Sequence, residues 1–337
     1  MDTKFIDYLT PYKYGLPIMA PSGVKGEFDR YGVDNMRICR HNGKFYMFCI
    51  GFDGVGYRTA MAVSDDLLHW EKKGIVLDRG SANPWDTNGR AISSLLADVD
   101  LYGSRELIKR DGKYWMFYHA YPGKGFETGA AANGLAWTTD EELLDWHCED
   151  EPVFVKGNDG EWDGGGLYST WIVPRDGGFN LYYNGKETTT GNWHEQVGVA
   201  FSESLHGWKR YEHNPIVRVT PDHWDSKFSC GQHVLFDSRK KRWVMFYCGF
   251  DGIHAQDGVA VGVGDDMLHF EKCEEPIIRY GEPGSLDSTH AHKPCVIWHD
   301  DMLWHFYCAV RPTVTDEEKA RYGREFRCLT VARSKPF

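Results

Sequence analysis

Three carboxylates in this sequence stand in polar stretches beside cationic or imidazole groups: Asp34 in "YGVDNMRIC", Glu106 in "GSRELIKR" and Glu187 in "YYNGKETTTGNWHE". A pair of carboxyl groups can divide one reaction between them. One, kept protonated, gives its proton to a leaving oxygen, while the other, ionised, activates water or attacks carbon. A second cluster, His290, His292 and Lys293 in "STHAHKP", could supply an imidazole acid if a carboxylate raised its proton affinity, or hold a water molecule or metal ion. Such groups matter only where one fold brings them together.

That fold is written as a repeat. "FYMF" (45 to 48), "YWMF" (114 to 117), "FNLY" (179 to 182), "WVMF" (243 to 246) and "LWHF" (303 to 306) recur roughly every 65 residues. Each follows a β-rich run such as "MRICR" or "QHVLFD" and precedes another such as "AMAVS" or "GVAFS", which makes each unit a meander of short strands. Four units end in a further strand after a polar turn, as in "DDLLHWEKKGIVLD", and the fifth stops at Phe337 without one. The missing strand is expected from the N-terminus, where "YGLPIMAPSG" matches "EEPIIRYGEPG". The reading is all-β: one five-bladed β-propeller domain over residues 1–337, its ring closed by the N-terminal segment pairing with the last blade.

Composition narrows the partners. The 337 residues carry a formal charge of −11 and no basic stretch, which argues against nucleic acid. Aromatics at 15% with 13 Trp and 37 Gly suit strands, tight turns and carbohydrate-type surfaces. The N-terminus lacks a secretory apolar run and no stretch has the length of a membrane span, so a cytoplasmic protein without a membrane partner is expected. Nine scattered cysteines without CxxC spacing read as free thiols.

Recurrence sorts the polar residues. Asp29, Asp86, Asp163, Asp225 and Asp287 occur once per unit and are expected to hold turns through nearby backbone N–H groups. Trp70, Trp146 and Trp208, with Phe270 as their fourth, are core for the same reason. Singular residues near the starts of the inner strands and in the loops between second and third strands are the site candidates. Counting from the repeated Asp gives Asp34, Tyr168, Cys230 and His292, with Ser104, Arg105 and Glu106 for the second unit. The loops add Asp53, Arg58, His119, Glu127, Lys186, Glu187, His194, Asp251, His254 and Arg311. Trp171, His233 and Lys293, on or beside inner strands, join them as substrate contacts, and Trp193 could stack on an apolar ring face.

The phrases "DGKYWMFY", "GLAWTTDEELLDW", "GEWDGGGLYSTWIV" and "EEPIIRYGEPGSLDSTHAHKP" resemble the five-bladed propeller glycosidases of glycoside hydrolase families 43, 62, 32, 68, 117 and 130. The resemblance implies acids at the starts of the innermost strands, and Asp34 matches the first-blade base or nucleophile. The third-blade and fourth-blade positions read "LYSTW" and "SCGQH", so Glu187 or Glu106 is left as the acid. A small carbohydrate substrate is implied, with no required cofactor. A divalent cation such as calcium could sit near the channel axis through His292. Three activities fit: a glycoside hydrolase removing a terminal sugar, a phosphorylase of the family 130 type with Arg105, Lys293, Arg311 and His292 around phosphate, or a sugar-binding propeller without catalysis.

Overall fold

The computed structural model describes residues 2–188 and 193–337. After a 3-10 helix over Thr3–Tyr8 comes β1 (Tyr12–Lys13). The first meander is β2 (Gly32–His41), β3 (Lys44–Phe52), β4 (Tyr57–Ser64) and β5 (Glu71–Leu77); the second is β6 (Arg90–Leu95), β7 (Tyr114–Ala120), β8 (Ala132–Thr138) and β9 (His147–Cys148). The third is β10 (Gly166–Arg175), β11 (Gly178–Glu187), β12 (His194–Ser202) and β13 (Lys209–Arg210), and the fourth β14 (Phe228–Asp237), β15 (Arg242–Phe250), β16 (Ala255–Gly262) and β17 (Phe270–Lys272). Last come β18 (His290–His299), β19 (Met302–Pro312), the short helix α1 (Asp316–Tyr322) and β20 (Glu325–Arg333), and β1 pairs antiparallel with β20, Tyr12 opposite Arg333.

All neighbours within a meander are antiparallel, and the architecture is all-β and propeller-like. The strands at the head of each meander pack side by side: β2 on β6, β6 on β10, β10 on β14, β14 on β18, and β18 on β2. Buried from both sides, they read as nearly continuous buried runs rather than alternating ones. The turn from β2 to β3 is Asn42-Gly43, both at positive φ, the two-residue hairpin that this pair favours. All nine cysteines are free thiols, and all but Cys148 are buried.

The repeated Asp residues do more than shape turns. Lys72 on β5 donates to Asp29, Arg210 on β13 to Asp163, Lys272 on β17 to Asp225, and Lys13 on β1 to Asp287, at 2.5, 2.8, 2.5 and 2.5 Å. Each cation comes from an outer strand, so the buried Asp staples the edge of its sheet to the inner corner, and Lys13 stands where the other three stand. The second meander departs from this: Asp86 takes Arg90, four residues on, at 2.6 Å.

"GFDG" is likewise explained. Gly51 and Gly249 lie under the rings of Phe28 and Trp224, where a Cβ would sit 2.5 and 2.1 Å from the nearest ring atom. Asp53 accepts from the N–H groups of Val55 and Gly56, and Asp251 from those of Ile253 and His254. Both Asp residues are turn formers, so by the recurrence rule they leave the list of singular candidates.

One expectation is corrected. Counting puts Ser104, Arg105 and Glu106 at the head of the second inner strand, but that strand begins at Arg90 and the extra residues follow it. The insertion runs along neighbouring inner strands instead. Arg40 N–H donates to the Arg105 carbonyl, and Leu101 N–H to that of Phe236. Since Arg40 is near the end of β2 and Asp34 near its start, Glu106 lies at the opposite end of the channel from Asp34.

Candidate active site

Each inner strand carries a register shift a few residues from its start: at Asn35 in β2, Ser93 in β6, Tyr168-Ser169 in β10, Gly231-Gln232 in β14 and Lys293-Pro294 in β18. Asn35, Gly231 and Lys293 have φ of 34, 62 and 67° there. A bulge bends the strand and re-aims the side chains around it. Five bulges at one level open a cavity of about 180 Å³, lined among others by Asn35, His119, Glu127, Tyr168, Glu195 and Lys293.

Beneath the bulges the channel is filled. Arg37 is fully buried; its guanidinium donates to Asn35 Oδ1 at 2.9 Å and Ser169 Oγ at 2.8 Å. Trp171 lies between Arg37 and Arg105, 5.5 and 5.4 Å from its ring, and 4.0 Å from the His233 ring. Trp171 donates its indole N–H to Val234 O, and His233 Nδ1 accepts from Val296 N–H. Arg105, Trp171 and His233, expected to touch substrate, are therefore the floor, and the cavity is a dead end.

At one side of that floor is a charge cluster. Asp34, 1% exposed, accepts at Oδ2 from Lys293 Nζ at 2.7 Å and Arg327 Nη1 at 3.0 Å, and at Oδ1 from Asn35 N–H. Burial pushes its carboxyl up, yet Lys293 and then Arg327 outweigh burial and hold it far below the usual carboxylate range. Arg327 also meets Glu325 at 2.8 Å, and Lys293 lies 3.9 Å from Glu127. The histidines here are neutral at pH 7. Burial, then Lys293, takes His119 down to about 3; burial, then Arg327, takes His290 down to about 4; burial, then Lys293, takes His292 well below its ordinary value. A lowered proton affinity does not suit His292 to the part of an imidazolium acid.

Asp34, His292 and Cys308 do bring ligand atoms within 4.8 Å of one another. Two cations already hold the carboxylate, His292 Nδ1 donates to Cys308 O while Nε2 faces Arg327, and burial pushes the Cys308 thiol well up. This set does not fit calcium, which is held by oxygen ligands.

Two further carboxyl groups line the cavity in a different setting, Glu127 next to Lys293 and Glu195 beyond it. Glu195 opens the third strand of its meander, where its N–H donates to Lys227 O of the next. It is 6% exposed; Oε2 accepts from Asn184 Nδ2 and Oε1 from Trp193 Nε1, both at 2.8 Å. Burial first, and the like charge of Glu127 second, raise its proton affinity against the pull of those donors and Lys186. Glu127 sits in the loop between β7 and β8 at φ 49°, and that loop is tied to the first meander by Gly125 N–H on Val55 O at 2.9 Å. A buried carboxyl pushed up beside a more open carboxylate is the pattern of an acid with its ionised partner.

The sequence candidates thus divide. His119, Glu127, Tyr168, Cys230, His292 and Lys293 come together in the cavity lining, and Asp34 lies behind it, bonded to Lys293. Glu187 points aside, 3.8 Å from His194 Nδ1, and is not part of the lining. Arg58 pairs with Asp53 at 2.8 Å, and Arg311 with Glu318 of α1 at 2.6 Å, both away from the cavity. Glu195, Arg327 and Asn184 went unseen. Glu195 directly follows His194, which was singled out, and in a strand one residue exchanges faces.

Residues 104–249 match the family model described as "Glycosyl hydrolases family 32 N-terminal domain". A "1,2-beta-oligomannan phosphorylase" of Thermoanaerobacter sp. (strain X514) is 26% identical over 311 residues, 86% of this chain and 90% of that protein. The solved structure of a BT0996–RGII complex superposes with a TM-score of 0.82 at 27% identity, covering 99% of this chain and 94% of that one. A family 117 glycoside hydrolase, Zg3597 of Zobellia galactanivorans, shares the fold at 13% identity and a TM-score of 0.63, over 91% and 85%. The chain is thus similar to propeller glycosidases, in sequence over residues 104–249 and in fold over nearly its whole length. The proteins it resembles by sequence are described as glycoside-processing ones.

Proposed function

We propose that the protein is a glycoside hydrolase that removes a terminal sugar from a short oligosaccharide or glycoside, on one five-bladed ring closed by the N-terminal segment. The observation that carries this is the pair Glu127 and Glu195 in a dead-end cavity, one carboxyl buried and pushed up, the other more open. Glu195 gives its proton to the glycosidic oxygen. Glu127 as carboxylate either takes a proton from the water that attacks the anomeric carbon, or attacks that carbon itself as the glycosidic bond breaks, after which water, giving a proton to the Glu195 carboxylate, cleaves the glycosyl ester; in both cases water's oxygen ends on the sugar and the Glu195 proton on the leaving group. A floor filled by Arg37 and Trp171 supports attack on chain ends, and Lys13 in the place held elsewhere by Lys72, Arg210 and Lys272 supports a closed ring of five.

Hydrolysis is favoured over phosphorolysis by charge. Lys293 and Arg327 are shared among Asp34, Glu127 and Glu325, which leaves little for a phosphate to bind. The second reading, phosphorolysis, draws on the 26% identity to the oligomannan phosphorylase. The test is a panel of 4-nitrophenyl glycosides, 1,2-β-oligomannosides and RGII, with and without inorganic phosphate. Free sugar released without phosphate is expected. A sugar 1-phosphate formed only with phosphate overturns hydrolysis, and binding without turnover favours a sugar-binding propeller.

A further inference from the structure

Trp193 does not belong to the repeated tryptophans: Trp70, Trp146 and Trp208 each turn inward and donate the indole N–H to the carbonyl three residues back. Trp193 instead lies beside the cavity with 46% of its surface exposed, donating to Glu195 Oε1. Its ring is fixed from one side by Lys186, whose Nζ stands 3.6 Å from the ring centroid and reaches the Tyr168 hydroxyl at 3.0 Å. Phe228, 5.7 Å away, and Phe250, a further 4.9 Å, continue the aromatic surface into the cavity lining.

An acid that protonates a leaving oxygen must stand beside that oxygen, so the surface next to it on the solvent side faces the leaving group. Here that surface is a large indole, held on one face by an ammonium group at little cost in side-chain freedom. A sugar ring presents an apolar C–H face to such a plane. We infer that Trp193 forms a leaving-group subsite, stacking a second sugar ring while its N–H positions the Glu195 carboxyl, so that the substrate is an oligosaccharide rather than a simple glycoside. The inference rests on the assignment of Glu195 as the acid.

The test compares the intact protein with Trp193→Ala and Trp193→Phe. The substrates are the glycosyl fluoride of the sugar selected by the panel above and a trisaccharide ending in that sugar. Fluoride leaves without a ring to stack and without a proton. Trp193→Ala is expected to lower kcat/KM on the trisaccharide about 30-fold, the scale of a lost stacking contact and a charged hydrogen bond together, and on the fluoride by less than about threefold. Trp193→Phe keeps a ring and should hold trisaccharide affinity within about threefold while moving the alkaline limb of the pH profile up, because the lost N–H favoured ionised Glu195. Equal losses on both substrates would mark a merely structural residue and overturn the subsite. Should the wild type turn over nothing, the hydrolase assignment fails by itself, and calorimetry with 1,2-β-mannotriose and RGII still decides the subsite. Weaker binding by Trp193→Ala upholds it, while equal binding or none at all overturns it.

Discussion

Asp34 and Glu195 are both buried carboxyl groups, Glu195 in the cavity lining and Asp34 just behind it under Lys293 and Arg327, and their surroundings push them in opposite directions. Asp34 sits under two cations and is held ionised; Glu195 has neutral N–H donors on its oxygens, a like charge nearby and one partly buried lysine, and its proton affinity rises. Burial is the largest influence on both, so burial does not decide the outcome. Full cationic pairing does. A carboxylate so held is a weak base with its lone pairs occupied, which suits Asp34 to fixing Lys293 and Arg327 in place and leaves proton transfer to Glu195.

The strongest way to break this contrast is Glu195→Gln. The amide keeps the shape and the hydrogen-bond capacity but has no proton to give, so kcat/KM on an oligosaccharide should fall about 10³-fold while the melting temperature holds. On a glycosyl fluoride the loss should shrink to within about tenfold. A Glu195→Gln protein with wild-type rates on an oligosaccharide removes Glu195 as the acid.

Asp34→Asn should act first on folding. The amide leaves Lys293 and Arg327 facing each other without their shared counter-charge, and breaking one side of a buried ion cluster costs about 3 kcal/mol or more. Denaturant unfolding measures this directly. If Asp34 were the base, the same variant would fold normally and lose turnover, so an unchanged midpoint with lost activity would reverse the assignment of roles.

A third kind of buried carboxylate sharpens the comparison. Asp225 is paired with Lys272 and is not part of the cavity lining, and Ser229 and Tyr247 also donate to it. Asp225→Asn should lower stability by about 1–2 kcal/mol and leave kcat/KM within about twofold, since it staples an outer strand and touches no substrate. Loss of turnover with an unchanged melting curve would put this residue in the chemistry.

Repetition was the legible part. Five aromatic phrases marked the second strands, and the match of "YGLPIMAPSG" to "EEPIIRYGEPG" put the N-terminal segment on the last sheet, where the expected strand is a single bridge from Met19 to Leu329 and the paired strand β1 lies just before it. The cations on the repeated Asp residues were hidden, because Lys72 and Asp29 are 43 residues apart and nothing local links them. The bulges were hidden too: an extra residue leaves no mark in a run buried on both sides, and the bulges are what turn Asp34 and Lys293 toward each other across 259 positions. Glu106 misled because the second meander puts its insertion after the inner strand rather than before it. Glu195 escaped by one residue, since parity along a strand end cannot be read until the register is known.

Acidity gives the finest discrimination. Asp34 has a lowered folded value, so its contribution to stability is complete above the ordinary carboxyl range near 3.9 and is lost as pH falls through the lowered value. The stability gap between wild type and Asp34→Asn should therefore stay constant from pH 5 to 7 and narrow only in strong acid. Glu195 runs the other way. Its folded value is raised, so what it contributes is present below the unfolded value near 4.3 and is lost as pH rises through the folded one. Glu195→Gln has no proton to lose there and should gain on the wild type as pH rises above the unfolded value, by less than the Asp34 effect. Removing the like charge in Glu127→Gln should lower the Glu195 value toward the ordinary range, read from its side-chain carboxyl resonance by ¹³C NMR titration. If Asp34→Asn and Glu195→Gln shifted stability with pH in the same direction, the two carboxyl groups would not be the opposed pair their partners make them.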